Sequence, residues 1–498
     1  MRHLSEISKK VKDPAKWPDR EISELCRDSR KVSGGALYIP SRGLHANGYE
    51  YMREAQEKGA GAILVNTLDH VPDGLFEGIT IPVIRYQGDD DFLQSFAKWF
   101  YRDPSSSLKL FGITGTNGKS TTTWVISQIL TRCGIKCGVI GTLGTGFLPK
   151  LDKSSNTTPG SVELERKLSE MLRAGAGAVA MEVSSIGICE GRVKGLTFDG
   201  VAFTNLTRDH LDYHKTMENY FEAKKSLFMN NTPCAINIDD PWGRKLFGAL
   251  KEPASAYLYS TNGKAVFSNS ERFLRIEQPK FLKDGTQFDL RVGDHVIKRV
   301  KTRLLGSFNL QNIACALSLL IRCGYDPEEL AAAIPFVKPV TGRMECFCAE
   351  GKPDVVVDYA HTPDGVEKAL EAAREHHPDG RVIAVVGCGG DRDSGKRPLM
   401  AIKASVGADL AVLTSDNPRS EDPDQIIDEM IMGVAEASNV IRRTDRREAI
   451  ICAYKSAGPD DVVVICGKGH EDYQIFKDKT IHFSDREIAA ELQGVSLD

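Results

Sequence analysis

One loop and four side chains in the middle of this chain have the types and spacing for phosphoryl chemistry. The segment GITGTNGKST, Gly112 to Thr121, lies between an apolar run and a helix-like run. Gly115 and Gly118 would let backbone N–H groups approach a polyphosphate, with Thr116, Asn117 and Thr121 completing the loop. Lys119 could reach the terminal phosphate oxygens and the Ser120 hydroxyl a magnesium ion, while the helix N-terminus favours an anion. The strict G-x4-G-K-[ST] pattern is not met, because its first glycine would fall at Ile113 and Gly112 is one place early. The strand–turn–helix setting still favours ATP over a plain glycine-rich turn. Phosphoryl transfer needs a divalent metal on oxygen ligands, with one or two carboxylates. AMEVSS puts Glu182 at the end of an apolar strand, and FTNLTRDHLDYH puts His210 just past another. Either alone is more often structural; together, at the mouth of a sheet bearing a phosphate loop, they become ligand candidates. Lys224, in YFEAKKSLF, sits on an amphipathic helix where a solvated lysine is the ordinary expectation. Arg343, in TGRME, could bring a guanidinium to the phosphates from a neighbouring domain.

These residues need strands to end where they do. At 498 residues, a prior of roughly one domain per ~150 residues gives about three. Residues 1–106 read as a small α/β unit, with strand-like GALYIP and GAGAILVN around helix-like NGYEYMREAQEKG. Pro104 and the serines after it read as a linker. From 107 to 338, LKLFGITG, AGAVAMEVS, DGVAFTNL and PCAINID alternate with helical stretches, which predicts a mostly parallel sheet. SFNLQNIACALSLLIRCG is an apolar helix that closes this part. From 339 to 498 the alternation restarts through PDVVVDYAH, RVIAVVGCGG, DLAVLTSDN, NVIRRTD and DVVVICGKGHE. That predicts a dinucleotide-fold-like sheet with ligands at its strand carboxyl ends.

Composition removes several function classes. A net charge of −4 from 64 basic and 68 acidic residues gives no electrostatic case for nucleic acid or an anionic membrane. No apolar run approaches the ~20 residues that span a bilayer, and MRHLSEISKK lacks a signal-peptide core. Twelve cysteines contain no CxxC pair, the closest being Cys346 and Cys348. They read as reduced, mostly buried residues rather than a zinc site or disulfide framework. A cytoplasmic enzyme with no membrane insertion is expected.

GTNGK[ST] after a strand resembles the Mur ligases and their folylpolyglutamate synthetase relatives, which are ATP-dependent amide-forming enzymes of three domains. The resemblance implies a small N-terminal α/β domain for a uridine nucleotide (1–106), a central P-loop ATPase-like domain (107–338), and a C-terminal dinucleotide-fold-like domain for an amino acid (339–498). It implies that Glu182 and His210 serve a second metal and that Lys224 is carbamylated. Burial can lower a lysine from its reference pKa of ~10.4 far enough to react with carbon dioxide. It further implies that Asn309 and Asn312 frame the adenine, and that Asp358 and His361 lie near ribose and phosphates. Helix capping is a second expectation for Asn309.

Other segments narrow the resemblance. DSR, with Ser29 and Arg30, and GLHANGYEY, with His45, resemble the part of the first domain that holds uridine. Asn156, Thr157, Thr158, Ser184 and Arg192 match family contacts to a muramoyl-peptide, and Glu190 falls within that set. Family members often carry histidine where Ile186 stands and glutamine where Glu190 stands. A carboxylate there would repel an anionic substrate, so Glu190 is expected to turn away or pair with Arg192. For the amino acid, GCGGDRD offers Arg392, which can clamp a carboxylate, and CGKGHED offers Gly467 and Glu471. TSDNPRSEDP contributes Asp416, Asn417, Pro418 and Arg419. Its DNPR resembles the motif of the family members that use meso-diaminopimelate, where the arginine meets a carboxylate that lysine lacks. The implied reaction is MgATP-dependent addition of meso-2,6-diaminopimelate to the D-glutamyl γ-carboxylate of UDP-N-acetylmuramoyl-L-alanyl-D-glutamate, through an acyl phosphate, by a monomer. L-Lysine as the amine, a folylpolyglutamate synthetase activity, and a non-catalytic ATP-binding module are the alternatives.

Overall fold

A computed structural model describes residues 1–42, 47–154, 156–262 and 272–497. The chain forms two compact units. One comprises residues 1–257 with 319–324, the other 258–318 with 325–498. Each is taken in turn.

In the first unit, short strands Leu25–Cys26, Leu37–Tyr38, Ala62–Asn66 and Val83–Tyr86 form a parallel sheet in that order. Helix Asp90–Phe100 covers it with Leu93, Phe96, Ala97 and Phe100. The expected linker is instead a half-buried turn of 3-10 helix, Pro104–Ser107, with Pro104 and Ser105 inside and Ser106 and Ser107 exposed. Pro104 fits the first position of such a turn because it has no N–H to satisfy. The larger sheet runs Cys137–Gly141, Ala178–Glu182, Lys109–Thr114, Gly200–Phe203, Cys234–Asn237, all parallel. Apart from exposed Lys109 its strands are buried along their length, as their unbroken apolar runs require. Gly144–Phe147 and Lys150–Asp152 add an antiparallel edge.

The second unit departs from simple α/β alternation at Phe273–Leu282, Gly285–Val292 and His295–Thr302. These form an antiparallel meander inside the stretch expected to be mostly parallel. The expected apolar helix is Ser307–Arg322. Asn309 lies within its first turn and does not cap it; its amide donates to Leu305 O at 2.7 Å. The other sheet has the order Glu345–Phe347, Asp354–Asp358, Val462–Cys466, Val382–Cys388, Leu410–Ser415, Val440–Arg442. It is parallel except for its first strand. Helices Pro363–His376, Lys396–Gly407 and Pro423–Ile431 pack their apolar stripes on one face, and Arg446–Lys455 and Asp485–Gln493 on the other. Register sets Asp358 beside Cys466 and Cys388 beside Ser415. Four strands therefore release their loops along one edge.

Candidate functional site

In the first unit the glycine loop joins strand Lys109–Thr114 to helix Lys119–Arg132. Gly115 has φ 148°, and a side chain there would run into Thr204 Oγ1. The loop is pinned from the neighbouring strand: Thr116 N donates to Asn205 O and Asn117 N to Asn205 Oδ1, both at 2.9 Å. Lys119 Nζ lies over the loop, 2.9 Å from Gly115 O and 2.8 Å from Thr116 O.

Glu182 ends its strand beside the loop, paired with Ile113 in register. Its carboxylate is buried and accepts from Thr142 N at 3.0 Å and Thr142 Oγ1 at 3.2 Å. Among the described residues it has no cationic partner. Lys224 is 1% exposed. Its Nζ donates to Gly115 O at 2.9 Å and lies 4.6 Å from the centre of the Tyr220 ring. Among the described residues no carboxylate pairs with it. Burial first, and the Lys119 charge second, hold its ammonium well below the usual lysine range. The ordinary expectation of a solvated lysine thus gives way to a buried amine, the condition on which the expected carbamylation rests.

Tyr220 links this corner. Its hydroxyl is 3.2 Å from Thr116 Oγ1, and its ring stacks on His214 at 4.9 Å and meets exposed His210 edge-on at 6.3 Å. His214, absent from the sequence reading, is buried, with Nε2 2.9 Å from Ser185 Oγ. Burial lowers its pKa, with Lys224 and His210 adding.

The adjoining segment has Thr158 fully buried, its hydroxyl donating to Glu182 O at 2.9 Å and accepting from Ser184 N at 3.0 Å. Ser184 caps the next short helix through Gly187 N. Thr157 Oγ1 lies 3.0 Å from Thr142 Oγ1, and Asn156 is exposed. The expected pairing of Glu190 and Arg192 is present: Nε donates to Glu190 Oε2 at 2.8 Å, while Nη1 donates to Thr158 O at 2.7 Å. Ser29 is buried, its hydroxyl 2.9 Å from Glu54 Oε2, and exposed Arg30 folds back on Asp28. His45 lies outside the described residues.

In the second unit, the loops after the four strands converge. Asn417 is the hub. Its Nδ2 donates to Glu471 Oε2 at 2.9 Å, and its Oδ1 accepts from Ile475 N at 3.0 Å and Lys468 Nζ at 3.2 Å. Lys468 is 0% exposed and also reaches Glu471 Oε2 at 3.2 Å. Sequence reasoning passed over it, because a lysine between two glycines looks like loop surface. Pro418 is buried after it. Arg419 has φ 54°, a left-handed backbone held by Arg419 N donating to Ile475 O at 3.0 Å. Its Nη1 donates to Gly390 O at 2.7 Å. Among the described residues its Nε and Nη2 make no hydrogen bond. Exposed Arg392 likewise has no ion pair or hydrogen bond among the described residues. Gly467 has φ 124°, and a Cβ there would stand 2.5 Å from Asp416 Oδ2.

Beneath these loops lies Arg446, fully buried, bonded to Asp485 at 2.7 Å and donating to Cys466 O at 3.0 Å and Ser415 O at 3.2 Å. It ties two strand ends together, a role only the folded sheet makes visible. Asp358 accepts from Met344 N and Ala360 N, each at 2.8 Å, and burial raises its pKa. Arg343 lies 5.3 Å from the centre of the Tyr359 ring, and its buried Nε has no hydrogen-bond partner among the described residues. Exposed His361 packs edge-on against the same ring at 4.8 Å. Asn312 donates to Asn309 Oδ1 at 3.0 Å. The phosphate loop thus belongs to one unit, and Arg343, Asp358, His361, Asn309 and Asn312 to the other.

Three family models match in sequence: the Mur ligase family catalytic domain over residues 21–101, the Mur ligase middle domain over 113–320, and the Mur ligase glutamate ligase domain over 342–469. The UDP-N-acetylmuramoyl-L-alanyl-D-glutamate–2,6-diaminopimelate ligase of Vibrio parahaemolyticus is 42% identical over 481 residues, 95% of each chain. The ligase of the same name from Coxiella burnetii is 40% identical over 492 residues, 98% of this chain and 99% of the relative. A solved structure of a ligase with that name superposes with a TM-score of 0.69 at 32% identity, covering 97% of this chain and 96% of the other. A folylpolyglutamate synthase of Mycobacterium tuberculosis complexed with ADP shares the fold alone, at 16% identity, a TM-score of 0.60, and 76% of this chain and 92% of that one. With these matches spread over nearly the whole length, and with a pinned phosphate loop in one unit and a convergent strand-end pocket in the other, the chain belongs to the Mur ligase family.

Proposed function

We propose that this chain is an ATP-dependent amide ligase that adds meso-2,6-diaminopimelate to the D-glutamyl γ-carboxylate of UDP-N-acetylmuramoyl-L-alanyl-D-glutamate, a step of peptidoglycan precursor synthesis. The observation that carries it is the strand-end pocket of the second unit. There, among the described residues, the Arg419 guanidinium has Nε and Nη2 uncommitted and Arg392 stands unpaired, both near Gly389, in the strand-end loops that also carry Glu471 and Asp416. Cationic forks beside carboxylates suit an amino acid that carries both charges at each end. Relatives 42% identical are named for that amine.

The three-part division at 106 and 338 belongs to this reading, supported by the spans of the family models. The residues near the loop suit Mg2+, since Glu182 is a buried carboxylate whose donors among the described residues are neutral, and Ser120 lies in the first turn of the loop helix. Glu182, His210, Ser120 and a carbamate on Lys224 would hold metal, which supplies charge neutralisation on the phosphates. The buried Lys224 amine adds carbon dioxide by forming an N–C bond and releasing a proton. Gly115 to Thr121, Asn309, Asn312, Arg343, Asp358 and His361 would bind ATP. Ser29, Arg30, His45, Asn156, Thr157, Ser184 and Arg192 would bind the uridine-linked dipeptide, with Thr158 and Glu190 positioning their neighbours. Arg392, Asp416 to Arg419, Gly467 and Glu471 would receive the amine.

The γ-phosphoryl group passes to a carboxylate oxygen, giving ADP and an acyl phosphate. The amine nitrogen attacks the carbonyl carbon, the C–O bond to phosphate breaks, and the amine proton goes to solvent. Lys119 and Arg343 lower the cost of the phosphate charge, and the remaining residues hold reactants in line. No helix among the described residues is long and apolar enough to cross a membrane. A cytoplasmic monomer accords with soluble substrates.

The test is ADP release with the dipeptide nucleotide and a panel of amines. Turnover should need both, with meso-diaminopimelate favoured over L-lysine and L-ornithine by roughly 10–100-fold, the worth of a charged hydrogen bond left unmade. Because Arg419 is left-handed, Arg419→Asn is a cleaner probe than Arg419→Ala, since asparagine tolerates that backbone. Both should lose most diaminopimelate activity. Preference for lysine overturns the choice of amine. Release that ignores the amine indicates a plain ATPase, and no release indicates a binding module.

A further inference from the structure

The hairpin of strands Glu345–Phe347 and Asp354–Asp358 carries three ligand-type side chains near its closed end that the ligase reaction does not use. Its register pairs Cys346 with Val356 and Phe347 with Val355. The next pair along is therefore Cys348 with Asp354, and the pleat turns Cys346, Cys348 and Asp354 to one face. The two sulfurs lie 2.7 Å apart. Both sulfurs and an Asp354 carboxylate oxygen lie within 4.8 Å of one another, the one such group of three found among the described residues.

We propose that Cys346, Cys348 and Asp354 form a binding site for a soft divalent cation, with Zn2+ as the natural occupant. Zinc takes thiolate at about 2.3 Å and carboxylate oxygen at about 2.0–2.2 Å, which requires sulfurs near 3.8 Å apart at a tetrahedral angle. Two sulfurs at 2.7 Å sit inside their non-bonded contact distance. They must either bond to each other or open, and exposed Cys348 has room to swing outward. The surroundings favour opening around an ion. An Asp354 carboxylate oxygen lies within 4.8 Å of both sulfurs, and its negative charge attracts a dication. The nearby Lys283 ammonium is drawn to Asp460 at 2.8 Å.

Asp354 is also oriented as metal-binding carboxylates are. Buried His377 places Nε2 2.9 Å from Asp354 Oδ2 and Nδ1 3.2 Å from Ala373 O. That is the second layer of hydrogen bonding that fixes a ligand's direction. Binding would release two thiol protons to solvent, and water would complete the coordination. The site lies at the opposite end of strand Asp354–Asp358 from Asp358, roughly 13 Å away at ~3.3 Å per residue. Its ion would close the hairpin that follows Arg343 and take no part in phosphoryl transfer. A Cys-x-Cys pair is not a metal motif by itself, which is why the cysteines read otherwise until the hairpin brought Asp354 to them.

The test uses the full chain, reduced and stripped with chelator. Cd2+ and Co2+ serve as optical probes, and Zn2+ is titrated against a chromophoric chelator. One equivalent should bind, with a thiolate-to-metal band and a rise in Tm. Cys348→Ser, at an exposed position that leaves the fold intact, should weaken binding by more than ~100-fold and diminish the band; His377→Gln should cost about 10–100-fold and keep it. Absence of stoichiometric uptake overturns the proposal, as does uptake unchanged in a Cys346→Ser, Cys348→Ser double variant. Loss of both thiols and two hydrogens under mild hydroperoxide, indifferent to added zinc, overturns it in favour of a disulfide.

Discussion

Glu165 offers a measurement of how the first unit holds together. It lies on helix Ser161–Arg173, which packs on helix Asp90–Phe100. It is 1% exposed, and neither carboxylate oxygen has a hydrogen-bond partner among the described residues. Burial pushes its pKa up from 4.5 to about 7, with Lys98 opposing only partly. The folded state therefore holds a proton that the unfolded chain gives up near pH 4.5. The penalty is absent below that pH, grows between 4.5 and 7, and stays constant above. A rise of that size corresponds to about 3 kcal/mol at pH 8. Glu165→Gln keeps the shape and removes the titration. Its Tm should match the wild type near pH 4.5 and exceed it by roughly 6 °C or more at pH 8, at ~2–4 °C per kcal/mol for a unit of this size. Differential scanning fluorimetry across pH 4.5–8 reads this directly. Parallel Tm profiles for the two proteins would refute a buried, unpaired carboxylate.

Three further outcomes follow from the sites. Lys224→Ala should abolish ligase turnover, and short-chain carboxylic acids should restore part of it; full activity without them removes the carbamate from the mechanism. Lys468→Met should raise KM for the amino acid by roughly 10–100-fold, the worth of hydrogen bonds between charged groups, and leave KM for ATP unchanged. Equal KM values in both forms would mean that Asn417 and Glu471 hold their places without it. Gly467→Ala forces a positive φ on alanine and sets its Cβ 2.5 Å from Asp416 Oδ2. It should lower Tm, at a cost of about 1–3 kcal/mol, together with diaminopimelate turnover.

The sequence was legible where local chemistry decides. Unbroken apolar runs such as VIAVVGC and VVVIC become strands buried on both faces. Glycine-bearing loops at their ends place Arg392, Asn417 and Glu471 within one strand-end cluster. The meander from Phe273 to Thr302 was missed although its turns contain Asp284-Gly285 and Gly293-Asp294, which are hairpin signals. Its faces carry many charges outward, so apolar continuity, the cue that served elsewhere, fails there. Lys468 was illegible for a different reason. Its partner Asn417 is 51 residues away in sequence, and its other partner, Glu471 three residues on, does not by itself mark the lysine as buried. His214 and Arg446 are likewise defined by partners 29 and 39 residues distant.

That contrast bears on how Arg419 could choose a substrate. A left-handed backbone at a non-glycine residue costs roughly 1–2 kcal/mol, and here it is stabilised by one backbone hydrogen bond to Ile475 and one guanidinium contact to Gly390. The same strand-end residue, Ile475, donates to Asn417 Oδ1. Asn417, Lys468 and Glu471 therefore share one framework with Arg419, and a change at any of them shifts the others. The arginine does not reach a ligand as an independent surface group. It is held with Nε and Nη2 uncommitted among the described residues, in a loop whose strain is offset by the buried lysine network beside it. Discrimination between amines then depends on the fixed angle of that fork as much as on its charge. An Arg419→Lys variant, which keeps the charge and loses the fork, separates the two: retained preference for diaminopimelate would assign the selection to charge alone.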